Sequence, residues 1–114
     1  MRHDIRKYLG HILDSINDIE EFVKDVKNFS DFDNDKKLIR AVEREFEIIG
    51  EASNRIKKIK PSIEITNLKS IINLRNRVIH AYDSIDNSVL YAITLKHLPK
   101  LKSEVQDLIN KYQP

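Results

Sequence analysis

Residues 5–26 read IRKYLGHILDSINDIEEFVKDV, and the spacing of their apolar side chains decides the fold class. Ile5, Leu9, Ile12, Ile16, Ile19, Val23 and Val26 follow one another at intervals of four, three, four, three, four and three residues. An α-helix turns once every 3.6 residues, so this alternation lays all seven along one narrow stripe and leaves the acids and lysines around it. The spacing predicts one long amphipathic helix with a coiled-coil-like packing seam.

Outward from that helix the same pattern recurs. NFSDFDNDKK, residues 28–37, interrupts it with turn formers, and a second helix is expected to begin near Asp33 to Asp35. On it Ile39, Val42, Phe46, Ile49, Ser53 and Ile56 again alternate by three and four, up to about Lys58 and before Pro61. Asn67 is placed to cap a third helix carrying Leu68, Ile71, Ile72, Leu74, Val78 and Ile79. Asp83 to Asn87 reads as a turn, followed by a helical stretch through Val89, Leu90 and Ile93. Pro99 has no amide proton and sits best in a first turn, which predicts a break near His97 and a final segment with Leu101, Val105, Leu108 and Tyr112. The expected architecture is all-α, an antiparallel bundle of four or five helices. Several segments are apolar on more than one side, and the first seam is longer than one neighbour covers. A homodimer is therefore expected.

Composition sets the outer bounds. A chain of 114 residues is expected to form a single domain over residues 1–114, with one core. Apolar residues at 40% and charged residues at 33% fit a soluble helical protein and argue against disorder. With two glycines and three prolines, turns are few and elements long. The absence of cysteine excludes disulfides and thiolate metal sites, and suits a reducing cytoplasm. The charged start of the chain does not resemble a signal peptide, and no run of about 18 apolar residues offers a membrane span. A net charge of +2 is too small by itself to announce a nucleic-acid partner.

The densest chemistry lies in RNRVIHAY, residues 75–82. At about 100° per residue, Arg75 and Tyr82 lie about 20° apart in projection and Asn76 and His80 about 40° apart, forming neighbouring stripes. Arg75 and His80 diverge by about 140° on a straight helix, so one helix does not aim both at one atom. They cooperate if the helix unwinds near His80, or if two copies face each other across a two-fold axis. Arg75 also continues the seam Leu68, Ile71, Arg75, Val78, Tyr82, where a guanidinium is costly unless it meets an anion or water. Arginine supplies a forked donor that matches phosphate oxygens, and a histidine near arginines is biased toward the neutral base. Together they suffice for metal-free cleavage of RNA through its 2′-hydroxyl. The structural alternative is an ordinary Arg and His complementing a helix C-terminus.

Other residues carry weaker signals. Gly50 inside a helix permits a close helix contact, and Glu51 beside it faces either a cleft or solvent. Arg55, Lys57, Lys58 and Lys60 either guide RNA phosphates or, as we favour, complement a helix dipole. His3 and His11 lack carboxylates at a metal-binding spacing and read as surface residues. Asp31, Asp33 and Asp35 read as a solvated turn, since the rest of a calcium loop is missing.

R-N-R-V-I-H-A-Y resembles the R-x-x-x-x-H-x-Y motif of HEPN-domain proteins, in particular the HepT-like toxins of HepT/MntA toxin–antitoxin systems. The resemblance extends over most of the chain, through RAVEREFEIIGEASNRI, similar to the family's R-A-x-E…I-G-E-A segment, and through LPKL. It implies an all-helical homodimer acting as a metal-independent endoribonuclease without a cofactor, with Arg75 and His80 catalytic and Asn76 supporting. It also implies a partner antitoxin, a nucleotidyltransferase of the MntA type that transfers AMP to Tyr82. A second reading stays open: a noncatalytic helical partner that docks the nucleotidyltransferase, with Arg75 holding a nucleotide phosphate and His80 only structural. Metal-free cleavage of RNA separates the two.

Overall fold

The structure, a computed structural model, describes residues 2–79 and 87–112. They form six helices: α1 (Arg2–Val23), α2 (Phe29–Asp33), α3 (Lys36–Ile59), α4 (Leu68–Ile79), α5 (Asn87–Lys96) and α6 (Leu98–Lys111). The described residues are otherwise turns and short links, and an all-α fold is what the sequence pattern implied.

The seam of α1 is the first half of the core. Ile5, Leu9, Ile12, Ile16 and Ile19 are all buried. The stripe was expected to run to Val26, but the helix ends at Val23. Asn28 explains the early end: it adopts an extended backbone and its side chain accepts a hydrogen bond from Asp31 N at 2.9 Å, capping α2. The chain must leave α1 before that cap, and Val26 closes a turn by donating its N–H to Val23 O at 2.9 Å. Val26 still packs on the core, from outside the helix.

The segment expected to be only a turn therefore holds α2. Its Phe32 is completely buried and contacts Tyr91 of α5, with ring centroids 5.2 Å apart. Asp35 then caps α3, its carboxylate accepting from Leu38 N at 3.0 Å. On α3 the predicted seam is the buried face: Ile39, Val42, Phe46, Ile49, Ser53 and Ile56, joined by Gly50 and Ala52. Ser53 is fully enclosed, and its Oγ has no hydrogen-bond partner among the described residues. A small side chain there allows close approach at some polar cost. The helix closes at Lys60, whose N–H bonds Ile56 O at 2.8 Å, immediately before Pro61.

α3 is the central element, packed most extensively against α1 and α4. The link from α3 to α4 is not a free loop, because Ile63 and Ile65 are buried in the core. α6 packs on α1 and α5, and supplies Leu98, Leu101, Val105 and Leu108, with Tyr112 just beyond its end. The break expected near His97 is present: His97 lies between α5 and α6, and Pro99 occupies the first turn of α6. There the missing amide proton costs nothing.

Candidate functional site

α4 presents the first half of the RNRVIHAY segment. Its start is fixed by Asn67, whose carbonyl accepts from Ile71 N at 3.0 Å. Asn67 itself is left-handed, with φ of 61°, a conformation that asparagine tolerates better than most residues. One residue earlier the backbone is tied to α6. The Glu104 carboxylate accepts both the Thr66 N–H, at 3.2 Å, and the Thr66 hydroxyl. Leu68 and Ile71 pack on the common core. The motif helix is thus anchored at its N-terminal end by the left-handed turn at Asn67, an acid clamp and apolar contacts.

Arg75 and Asn76 lie in the second half of α4, as the sequence pattern implied. His80 and Tyr82 lie outside the described residues, as does the turn expected from Asp83 to Asn87 except for Asn87 itself, which is the first residue of α5. Beside the start of α4 a cleft of about 490 Å³ opens between α3, α4 and the α5–α6 junction. Phe46, Ile71 and Ile93 contribute apolar lining, and Ser70, Asn73 and His97 contribute polar groups. Asn73 stands two positions before Arg75, so the cleft and the motif share one helix. Sequence reasoning treated His97 only as a helix break. The signal for its place in the cleft was Pro99, which fixes where α5 and α6 part.

The remaining candidates divide into structural and exposed groups. Asp31 and Asp35 serve helix starts, and the Asp33 carboxylate accepts from the Asn87 amide at 3.0 Å, tying α2 to α5. No group of metal-ligating side chains occurs among the described residues. Glu51 is exposed and pairs with Arg55 at 3.8 Å, so it faces solvent rather than a cleft. Lys57 and Lys58 are exposed in the last turn of α3, as dipole complements would be. Lys60 has a different role: its ammonium donates to Tyr112 Oη at 2.8 Å, fastening the ends of α3 and α6. His11 is exposed and meets the ring of Tyr8 edge-on. Within the R-A-x-E stretch, partial burial raises the Glu43 carboxyl above its ordinary range, with Arg40 pulling the other way.

Comparison with known proteins places this architecture. The family model described as ribonuclease HepT-like matches residues 12–108, which include α4 and the whole RNRVIHAY segment. A protein of Methanocaldococcus jannaschii described as a candidate RNase is 39% identical over 106 residues, covering 92% of this chain and 96% of the relative. A protein of Caldanaerobacter subterraneus, also described as a candidate RNase, is 35% identical over 93% of this chain and 95% of its own length. A third, from Thermococcus cleftensis and named as a candidate ribonuclease HepT, is 37% identical over 95% of this chain and 98% of its own length. Among solved structures there is no significant match. No helix of the described residues is long and apolar enough to cross a membrane. The chain belongs to the HepT-like ribonuclease family.

Proposed function

We propose that the protein is an endoribonuclease toxin that cuts RNA without a metal ion, using Arg75 and His80 in a cleft between two copies of the chain. The observation that carries the reading is the RNRVIHAY segment lying within the family match, with its arginine on the anchored helix α4. The 2′-oxygen of one ribose attacks the adjacent phosphorus, and the bond from phosphorus to the 5′-oxygen breaks. The products are a 2′,3′-cyclic phosphate and a free 5′-hydroxyl. His80 takes the 2′-hydroxyl proton or gives one to the departing 5′-oxygen, and Arg75 holds the charge that gathers on the phosphoryl oxygens. Asn76, next to Arg75, supplies an amide to orient the phosphate. This chemistry needs no cofactor, and the working compartment is the cytoplasm.

Silencing follows from the same segment. A nucleotidyltransferase of the MntA type is the partner antitoxin: Tyr82 Oη attacks the α-phosphorus of ATP, pyrophosphate leaves, and AMP stays on the tyrosine. The new phosphate sets a negative charge and a bulky nucleotide beside the groups that bind RNA. Purified, unmodified protein is expected to cleave RNA in EDTA and to leave 2′,3′-cyclic ends. Intact RNA under those conditions would overturn the nuclease reading and leave a noncatalytic partner of the nucleotidyltransferase. Mass spectrometry after incubation with that enzyme and ATP is expected to map AMP to Tyr82. Modification that persists in Tyr82→Phe, or that maps to Tyr8, Tyr91 or Tyr112, would overturn the switch.

A further inference from the structure

Away from the motif segment, the start of α1 meets the end of α3 in a cluster of aromatic and cationic side chains. Tyr8 and His11 lie one turn apart on α1 with ring centroids separated by 5.8 Å and planes at 81°. The Lys7 ammonium stands 5.7 Å from the centre of the Tyr8 ring, and the Arg55 guanidinium carbon, arriving from α3, stands 5.9 Å from it. Both distances fall at the outer edge of cation–π contact, so neither cation is seated tightly on the ring. Lys7, His11 and Arg55 are exposed, and Tyr8 is half-buried. Lys7 forms no ion pair among the described residues, and the pair of Arg55 with Glu51 is long and open to solvent. Tyr8 packs against the core, but Lys7, His11 and Arg55 take no part in it: the buried residues of α1 are its seam and Ser15, and those nearest Arg55 are Ala52, Ser53 and Ile56.

An aromatic ring flanked by loosely held cations suits a nucleobase with its phosphate, because the base stacks on a ring or guanidinium plane while a cation meets the phosphate. We infer that Lys7, Tyr8, His11 and Arg55 form a secondary platform for single-stranded RNA, holding the strand at a distance from the cleavage motif. The inference rests on the nuclease reading above and adds the path of the substrate. Asp4, one turn before Tyr8, and Glu51 limit the net positive charge, so the grip needs both the Tyr8 ring and the two cations beside it. A duplex hides its base faces, and the platform therefore selects single strands. Position gives the platform its use. Ile71 lines a cleft with Phe46 and Ile49, and the short link makes α3 and α4 antiparallel, so α4 runs back toward the start of α3. Arg55 lies six residues beyond Ile49, about 9 Å along α3, and Arg75 lies four residues, about 6 Å, beyond Ile71 in the opposite direction, so the two stand a few nucleotides apart.

The test is binding of a fluorescent single-stranded oligonucleotide of about twelve 2′-O-methyl nucleotides, which the proposed nuclease cannot cut, alongside cleavage of the corresponding RNA. Two variants are compared with the wild-type protein, Tyr8→Ala and the exposed double change Lys7→Glu with Arg55→Glu. Circular dichroism establishes that each is folded, and the second variant serves if Tyr8→Ala perturbs packing. Affinity is expected to fall about tenfold in either variant, within the range for loss of one stacked base. Cleavage of a dinucleotide, too short to reach the platform, is expected to be unchanged. Binding within twofold of wild type in the folded double variant would overturn the platform while leaving the nuclease intact. A wild-type protein that neither binds nor cuts RNA would overturn both. Equal losses on the dinucleotide and the long strand would show damage to the motif instead of a second platform.

Discussion

In the proposed reaction, truncating His80 or Arg75 to alanine removes two different contributions. Without the imidazole no side chain moves the proton; without the guanidinium the charge on the phosphoryl group is uncompensated. Alanine is also the strongest helix former, so Arg75→Ala keeps α4 intact. Each variant is expected to lose about 10²- to 10⁴-fold in cleavage rate on an RNA substrate, with its circular dichroism spectrum unchanged. Full activity in His80→Ala would remove the histidine from the mechanism, and an unfolded variant would assign it a structural role. Glu43 makes a separate claim about stability. Partial burial raises its carboxyl above the ordinary value of 4.5, with Arg40 opposing. An acid raised in the folded state binds its proton more tightly there than in the unfolded chain. Stability is therefore greatest below the ordinary value and declines as pH rises through the folded one. Glu43→Gln is neutral throughout and escapes that decline. Its melting temperature is expected to exceed that of the parent at pH 7, with the gap closing toward pH 4. A gap that stays constant with pH would show that burial of the charge is not its cause.

Between elements, the tie from Thr66 to Glu104 holds the start of α4 against α6. Glu104→Ala leaves the Thr66 N–H and hydroxyl to water, at a cost of about 1 kcal/mol given the exposure of the pair. In a chain of this size that corresponds to a fall of about 4 °C in melting temperature, measurable by thermal unfolding. Cleavage is expected to drop as well, because the clamp positions the helix that carries Arg75; unchanged stability and activity would show the clamp to be ornamental. Such a contact could not be read from the chain, since residues 66 and 104 are far apart and neither is unusual in its neighbourhood. The long helices were legible because each needs only a local stripe: the buried residues of α3 include all six read from its spacing. The break at His97 was legible for the same kind of reason, since one proline dictates it. α2 escaped because five residues are too few to show a period, and its turn-forming Asn28 and Asp31 are the residues that cap and start it. The buried Phe32 was the available clue. For the site, spacing identified Arg75 and Asn76 as residues of one helix, while the cleft wall around His97 depends on how α5 and α6 pack against α4.

At the scale of the molecule the question is how many chains make one site. Arg75 and His80 are five residues apart, and a straight helix would separate them by about 140°. A two-fold axis would resolve the divergence by letting the arginine of one copy meet the histidine of the other, with both contributions repeated in a second, equivalent site. Sedimentation is expected to show a dimer at micromolar concentration, and a monomer that still cuts RNA would end this account. Mixing gives the sharper test. Arg75→Ala and His80→Ala chains are each expected to be nearly inactive alone, whereas a hybrid dimer would join the intact His80 of one to the intact Arg75 of the other. One of its two sites is then complete and the other lacks both groups. Random pairing makes half of the dimers hybrid, so denatured and refolded mixtures are expected to recover about a quarter of wild-type activity. A helix that unwinds to bring both groups together within one chain leaves every site in the mixture defective. Complete inactivity of a mixture shown to contain hybrid dimers would therefore overturn the shared site and assign the pairing to a single chain.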